Sequence, residues 1–296
     1  MAILLAAASP ALELVAITTV AGNQTLELTT LNARRVCSVA GIVDVPIAAG
    51  CDRPLARELI VAADIHGASG LDGVDWDEPT VPLDPRHGVD LIIEAAGSGK
   101  GPLTIIALGP LTNVASALRR APHIGEDIER IAIMGGAMGL GNTTPSAEFN
   151  MHVDPEAADE VFRAGIPITL VPLEVTHRAL ATDAVLARIA ELDTPVARMS
   201  VALMRFFAET YLRVFGFAAP AVHDPCAVAA VIDPATVPTR RMNVAIDTAS
   251  SLSLGRTVCD VYGKTGREPN ADVGMDLDVA RFWDGMLAAL ATYRGG

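Results

Sequence analysis

The sequence predicts an α/β fold on an open, mainly parallel (mixed) sheet flanked by helices. Three observations carry this: short aliphatic and β-branched runs recur along the chain, they are too continuously apolar for half-exposed antiparallel strands, and helical stretches lie between them. Met1-Ala2-Ile3-Leu4-Leu5 reads as the end of a helix, followed by a strand from Glu13 to Val20. VPIAA, LTIIAL, IERIAIM, PITLVPL and MNVAIDT supply the other strands. Asp154-Pro155 opens a helix as N-cap and first-turn proline, Glu156, Asp159 and Glu160 follow, and Gly165 closes it before a strand at Ile166. A further helix starts at Pro195 and repeats Val196, Met199, Leu203, Phe206, Phe207, Tyr211 and Val214 at helical spacing. An apolar helix spans 225–232, and the last runs from Asp278 to Leu290. No repeat, low-complexity tract or linker divides the 296 residues, so 1–296 is read as a single domain.

Composition narrows the function. With 51% hydrophobic and 19% charged residues the chain can bury enough surface to fold, which excludes a disordered protein. Asp plus Glu number 35 against 22 Lys plus Arg, and the net charge of −13 argues against a nucleic acid or an anionic membrane as partner. A neutral or cationic ligand, or a metal, fits better. Cys37, Cys51, Cys226 and Cys259 are isolated, with no Cys-x-x-Cys pair, so neither a disulfide scaffold nor structural zinc is indicated. The apolar opening imitates a secretory segment, but it has no basic region before it, and Pro10 and Glu13 interrupt it; the protein is placed in the cytoplasm.

In an open parallel sheet, ligands bind beyond the carboxyl ends of the strands. Polar clusters follow three of the strands, at Ala21-Gly22-Asn23, Gly109-Pro110-Leu111-Thr112-Asn113 and Gly135-Gly136-Ala137, and all should open onto one rim. The common nucleotide and hydrolase fingerprints fail. Pro102 stands where a dinucleotide motif starting at Gly97 needs its third glycine, Glu94 stands where a phosphate-binding loop ending at Gly99-Lys100 needs its first, and Gly67-Ala68-Ser69-Gly70-Leu71 lacks the last glycine of a nucleophile elbow.

Each remaining polar string has a plain structural reading. Gly141 to Asn150 carries two amides and a carboxylate in a loop that could simply cap the helix after it. Asp224 in Val222-His223-Asp224-Pro225 could be an N-cap, and His66 in Asp64-Ile65-His66-Gly67 a solvated loop residue. Their order along the chain changes that. AGNQTLE, DIHGASGLDG, ALGPLTN, IMGGAMGLGN, SAEFNMHVDPEAA, PAVHDP, GRTVCD and GREPNADV with the later RFWD together resemble the inosine-uridine preferring nucleoside hydrolases from Ala2 to Leu290.

That resemblance implies a Rossmann-like nucleoside hydrolase fold and an enzyme of nucleoside salvage that hydrolyses the N-glycosidic bond of ribonucleosides to ribose and free base. It further implies a Ca²⁺ ion at the bottom of the pocket and a homotetramer or homodimer. Asp224 would be a metal ligand, with the Leu108 carbonyl as the main-chain ligand. Asn23, Asn142, Glu148 and Asn150 would hold the ribose hydroxyls, with Phe149 and Met134 among the sugar-pocket residues. Glu148 would gain strength as positive charge develops on the ribose ring. His223 would be the general acid, with a pKa near working pH, and His66 would face the base, as would Tyr211 and Phe215.

The family also begins with a strand and the signature Asp-x-Asp-Pro-Gly-x-Asp-Asp-Ala, and this sequence starts just after it. The reading therefore expects the first strand and most calcium carboxylates to be missing, two sheet edges to be unpaired, and turnover and Ca²⁺ binding to be weak in the chain as written. An internal start at Met1 is the preferred explanation. The alternative is a non-catalytic nucleoside- or ribose-binding paralogue, and a third is a structural subunit with a vestigial pocket.

Overall fold

The computed structural model describes residues 1–293, which form twelve α-helices and nine strands besides short 3-10 turns. The first half runs α1 (Ala2–Ala8), β1 (Ile17–Thr19), α2 (Leu26–Ala40), β2 (Ile47–Ala49), α3 (Ala63–His66), α4 (Gly88–Ala96), β3 (Leu103–Ala107), α5 (Thr112–Arg120), β4 (Ile128–Met134), α6 (Phe149–Val153) and α7 (Pro155–Arg163). The second half runs β5 (Ile168–Val171), α8 (Leu173–Thr176), α9 (Asp183–Ala190), α10 (Pro195–Phe215), α11 (Asp224–Ile232), β6 (Thr239–Met242), β7 (Val244–Ile246), β8 (Thr257–Cys259), β9 (Ala271–Gly274) and α12 (Val279–Leu290).

The main sheet has the order β3-β4-β5-β9-β6, parallel except for the β6–β9 pair, while β1-β2 forms a separate parallel pair and β7-β8 an antiparallel one. Why the strand runs are continuously apolar is now visible. β4 and β5 are covered on both faces, with one core formed among α1 and α9 to α12 and a second against α4, α5 and α7. The expected helices are present. Asp154 caps α7 through the Ala157 amide at 3.1 Å, Thr194 caps α10 through the Ala197 amide at 3.1 Å, and Gly216 ends α10 at φ 69°. Asp278 likewise caps α12. Among the described residues, no helix is long and apolar enough to cross a membrane, and all four cysteines are free.

Two strand assignments differ from the sequence reading. The strand expected over Glu13–Val20 is confined to Ile17–Thr19. MNVAIDT breaks at Asn243, because the Asn270 side chain takes over there: it accepts from the Val244 amide at 2.8 Å and donates to the Val244 carbonyl at 2.9 Å. Met242 thus ends β6, and Val244 begins β7, and both strands pair antiparallel rather than inside the parallel sheet. β6 is an edge whose Thr239, Arg240 and Arg241 are exposed, the charged composition that discourages edge-to-edge association.

β1 and β3 are each paired on one side only. Asn113 joins the two sheets at their carboxyl ends. Its side-chain amide donates to the Thr19 carbonyl at 2.9 Å, and its side-chain oxygen accepts from the Cys51 amide at 2.8 Å, so one residue at the start of α5 binds the ends of β1 and β2. Gly50 must be glycine here, since a Cβ would lie 2.3 Å from the Asn113 oxygen. Val20 and Gly109, and Gly22 and Pro110, close the same seam, with Cβ positions built on the glycines 3.1 and 2.7 Å from those side chains. Asn113→Ala leaves the half-buried Cys51 amide without a partner and the Thr19 carbonyl with only the Gly50 amide, and a loss of about 1–3 kcal/mol is expected. Urea unfolding monitored by circular dichroism measures it; an unchanged midpoint would show that the seam holds without this clasp.

Candidate active site

A cavity of about 590 Å³ opens at the carboxyl ends of the strands. Asn23, His66, Leu108, Met134, Asn142, Glu148, Phe149, Asn150, Tyr211, His223 and Asp224 all line it. It thus brings together every residue singled out from the sequence for a site, from eight separate stretches of chain. The parallel register explains part of this: Ala107 pairs with Ile133 and Met134 with Val171, so Leu108, Met134 and the segment after Val171 leave the sheet side by side.

One end is rich in oxygen. Glu148 sits at the N-cap of α6, 2% exposed, and its carboxylate accepts the amides of Gly136 and Asn150, both at 2.9 Å, and of Met151 at 3.2 Å. Burial pushes its pKa up to about 7 despite those three bonds. The string 141–150 is therefore not wholly a loop; its last two residues start a helix held by this cap. Asn150 donates to the Met134 carbonyl at 3.0 Å and the Leu108 carbonyl at 3.3 Å. Asn142 accepts from the Phe149 amide at 3.0 Å, and the Asn23 carbonyl accepts from the Ala62 amide at 3.0 Å, tying the first rim loop to the segment that carries His66.

Asp224 does not cap a helix. His223 is the N-cap of α11, Asp224 is its first residue, and the carboxylate accepts no hydrogen bond among the described residues. Burial raises it to about 6, with the nearby Met1 amine pulling the other way. A carboxylate with no hydrogen-bond partner on the floor of a cavity is suited to a cation or a polar ligand. The Leu108 carbonyl, the other expected metal donor, already accepts from Asn150, and no group of three or more His, Cys, Asp or Glu side chains able to hold a metal occurs among the described residues.

The opposite end is aromatic. Phe207, Tyr211 and Phe215 lie on one face of α10 at helical spacing, with ring centroids 4.7 and 5.1 Å apart, and His66 stacks on Phe207 at 5.2 Å and 24°. Burial lowers His66 to about 4, so it is a neutral ring rather than a solvated loop residue. His223 is engaged at both nitrogens: Nδ1 lies 2.7 Å from the Thr176 hydroxyl, and Nε2 is bonded to the Tyr211 hydroxyl. Burial first, and then repulsion from His177 and His66, holds it down at about 3. The expectation of a His223 pKa near working pH is therefore corrected: burial favours the neutral imidazole, and both of its nitrogens are hydrogen-bonded.

Several residues that shape the site escaped the sequence reading. Thr257 accepts from the Ala137 amide at 2.9 Å and donates to the Ala137 carbonyl at 2.6 Å, and Glu174 accepts from Met138 at 3.1 Å and Gly139 at 2.8 Å. Gln24 donates to the Gly67 carbonyl at 2.9 Å, and Asn32 to the Ser69 carbonyl at 2.7 Å, fixing the segment behind His66. Thr176 follows the strand PITLVPL, where the rim rule directs attention, and Phe207 was visible only as part of an apolar helix face.

The family model described as inosine-uridine preferring nucleoside hydrolase matches residues 1–284. The chain is 45% identical over 291 residues to the inosine-uridine preferring nucleoside hydrolase of Crithidia fasciculata, covering 98% of this chain and 92% of that protein. It is 43% identical over 294 residues to the pyrimidine-specific ribonucleoside hydrolase RihA of Shewanella woodyi, covering 99% and 94%. Among solved structures, the purine-preferring ribonucleoside hydrolase from Gardnerella vaginalis superposes with a TM-score of 0.92 at 30% identity, covering 99% of this chain and 94% of that one.

The buried carboxylate of Glu148 makes stability fall as pH rises. The folded protein binds its proton more tightly than the unfolded chain, so its contribution is complete below pH 4.5 and is lost as pH climbs through about 7. Glu148→Gln should flatten up to about 3 kcal/mol of that slope. Urea midpoints across this range in metal-free buffer test it, and parallel slopes for the variant and the wild type would count against it.

Proposed function

The chain belongs to the inosine-uridine preferring nucleoside hydrolase family, and we propose that its cavity binds a ribonucleoside and supplies the groups for hydrolysis of the N-glycosidic bond. The observation that carries this is the division of one cavity of about 590 Å³ into an oxygen-rich end and an aromatic end, the two halves of a nucleoside. At the first end Asn23, Asn142 and Asn150 hold the ribose hydroxyls. At the second the base lies against Phe207 and Tyr211, beside the neutral ring of His66.

In the reaction, C1′ loses the base through a state with oxocarbenium character and takes a hydroxyl from water, whose remaining proton offsets the one that ends on the released base nitrogen. Glu148 and Asp224 place carboxylate charge beside the sugar, where positive charge develops, so their attraction strengthens at the transition state. Negative charge grows at the same time on the departing base. Tyr211, in contact with His223, holds a hydroxyl at that end, and burial keeps that phenol protonated. His66 orients the base.

Ca²⁺ is the cation we propose for the floor, with Asp224 and the Leu108 carbonyl as the donors from these residues. Two oxygens do not satisfy an ion that takes six to eight, so the residues present do not by themselves make that site, and no step is assigned to it.

Incubation with inosine and with uridine, in the presence of Ca²⁺, should release ribose and free base in equal amounts but slowly, because the cation site is undersupplied. Saturable nucleoside binding with no ribose release would instead favour a binding protein, and neither binding nor release would end the assignment. Asp224→Ala should lower kcat/KM by roughly 10²–10³ through loss of transition-state charge stabilisation. Tyr211→Phe should lower kcat for both nucleosides by roughly 10², with KM much less affected.

A further inference from the structure

We propose that Thr176 is a positioning residue for departure of the base, its hydroxyl holding His223 in the tautomer with hydrogen on Nε2. The proposal rests on the nucleoside reading of the cavity for its function and on hydrogen-bond geometry for its structure. Thr176 is fully buried, its hydroxyl lies 2.7 Å from His223 Nδ1, and no other bond is made by that hydroxyl among the described residues. Two proton arrangements are open to the row Thr176–His223–Tyr211. If Nδ1 carried the hydrogen it would donate to Thr176, leaving the buried threonine O–H with no acceptor, and the Tyr211 O–H would be spent on Nε2. If Thr176 donates to Nδ1, then Nε2–H donates to the Tyr211 oxygen and the phenolic hydrogen is free for the cavity. Each arrangement frees one hydroxyl hydrogen: the first leaves it on Thr176, which is fully buried and does not line the cavity, and the second on Tyr211, which lines the cavity, where a bound molecule can accept it. An orphaned buried hydroxyl is costly, so the second is favoured.

The backbone that carries Thr176 has little freedom. The Thr176 amide donates to the Pro172 carbonyl at 3.1 Å, and the Leu173 amide to the Gly136 carbonyl at 3.0 Å. Gly136 also donates its own amide to Glu148 at 2.9 Å. Two residues on, the Glu174 carboxylate accepts the amides of Met138 and Gly139. The turn that presents Thr176 to the base end is thus suspended from the loop that serves the sugar end, and the two halves of the cavity keep a fixed spacing.

The test compares Thr176→Val, which preserves shape and removes the hydroxyl, with Thr176→Ser, which keeps it. The first readout is the long-range ¹H–¹⁵N spectrum of the histidine rings in the full chain: His223 should show the Nε2–H pattern in the wild type and in Thr176→Ser, and lose it in Thr176→Val. The second is the ratio of kcat for uridine to kcat for 4-nitrophenyl β-D-ribofuranoside, whose phenolate departs without a proton. That ratio should fall roughly tenfold or more in Thr176→Val, within the range given by loss of acid assistance, and recover in Thr176→Ser. Equal losses on both substrates would mark a merely structural role and overturn the proposal, as would an unchanged tautomer in Thr176→Val. If the wild type cleaves neither substrate, the hydrolase reading fails on its own account, and the spectrum alone decides the role of Thr176.

Discussion

The oxygen-rich end of the cavity depends on one buried carboxylate. Glu148 draws in three amides from two pieces of chain, the glycine turn after β4 and the first turn of α6, and fixes both against the open ends of the strands. Gly136 can make this approach because its φ is 70° and a Cβ there would come within 2.6 Å of Thr257. Thr257 and Glu174 then hold the remainder of the turn. Desolvation opposes this arrangement, which is why the carboxyl titrates so high. A carboxylate kept close to neutral pH by burial is poised to respond to positive charge appearing nearby, so the same interaction that organises the loops serves the chemistry.

The histidines follow a complementary logic. His66 and His223 sit in an apolar and aromatic wall that disfavours their charged forms, and among the described residues no lysine or arginine lines the cavity. The lining combines the carboxylates of Asp64, Asp72, Glu148 and Asp224 with these uncharged rings. A neutral ligand that gains positive charge on reaction fits such a lining better than one that is anionic from the start.

Much of this was legible in the sequence. The α/β alternation, the cap of α7, the start of α10 at Pro195 and the ordered polar strings led to the cavity, because helix starts and strand-end turns are written in local residue choice. What stayed hidden was non-local. β9 is the short ADVG segment, too brief for a periodic signal, yet it lies between β5 and β6. The break at Asn243 is imposed by Asn270, 27 positions later in the numbering of the sequence. The lowered pKa of His223 could not be read from VHDP, since it arises from burial and from repulsion by His177 and His66, which are brought in by other elements. Resemblance indicated which residues would gather. It did not reveal their proton arrangement.

The aromatic wall has a further implication. Phe207, Tyr211 and Phe215 occupy successive turns of a single helix, and none of them makes a hydrogen bond to the loops around Glu148. Exchanging Phe207 or Phe215 would resculpt the aromatic part of the cavity while leaving the hydrogen bonds around Glu148 intact, whereas Tyr211 is tied to His223. Substrate range can therefore diversify along one helical stripe, by single codon changes, on an otherwise constant framework.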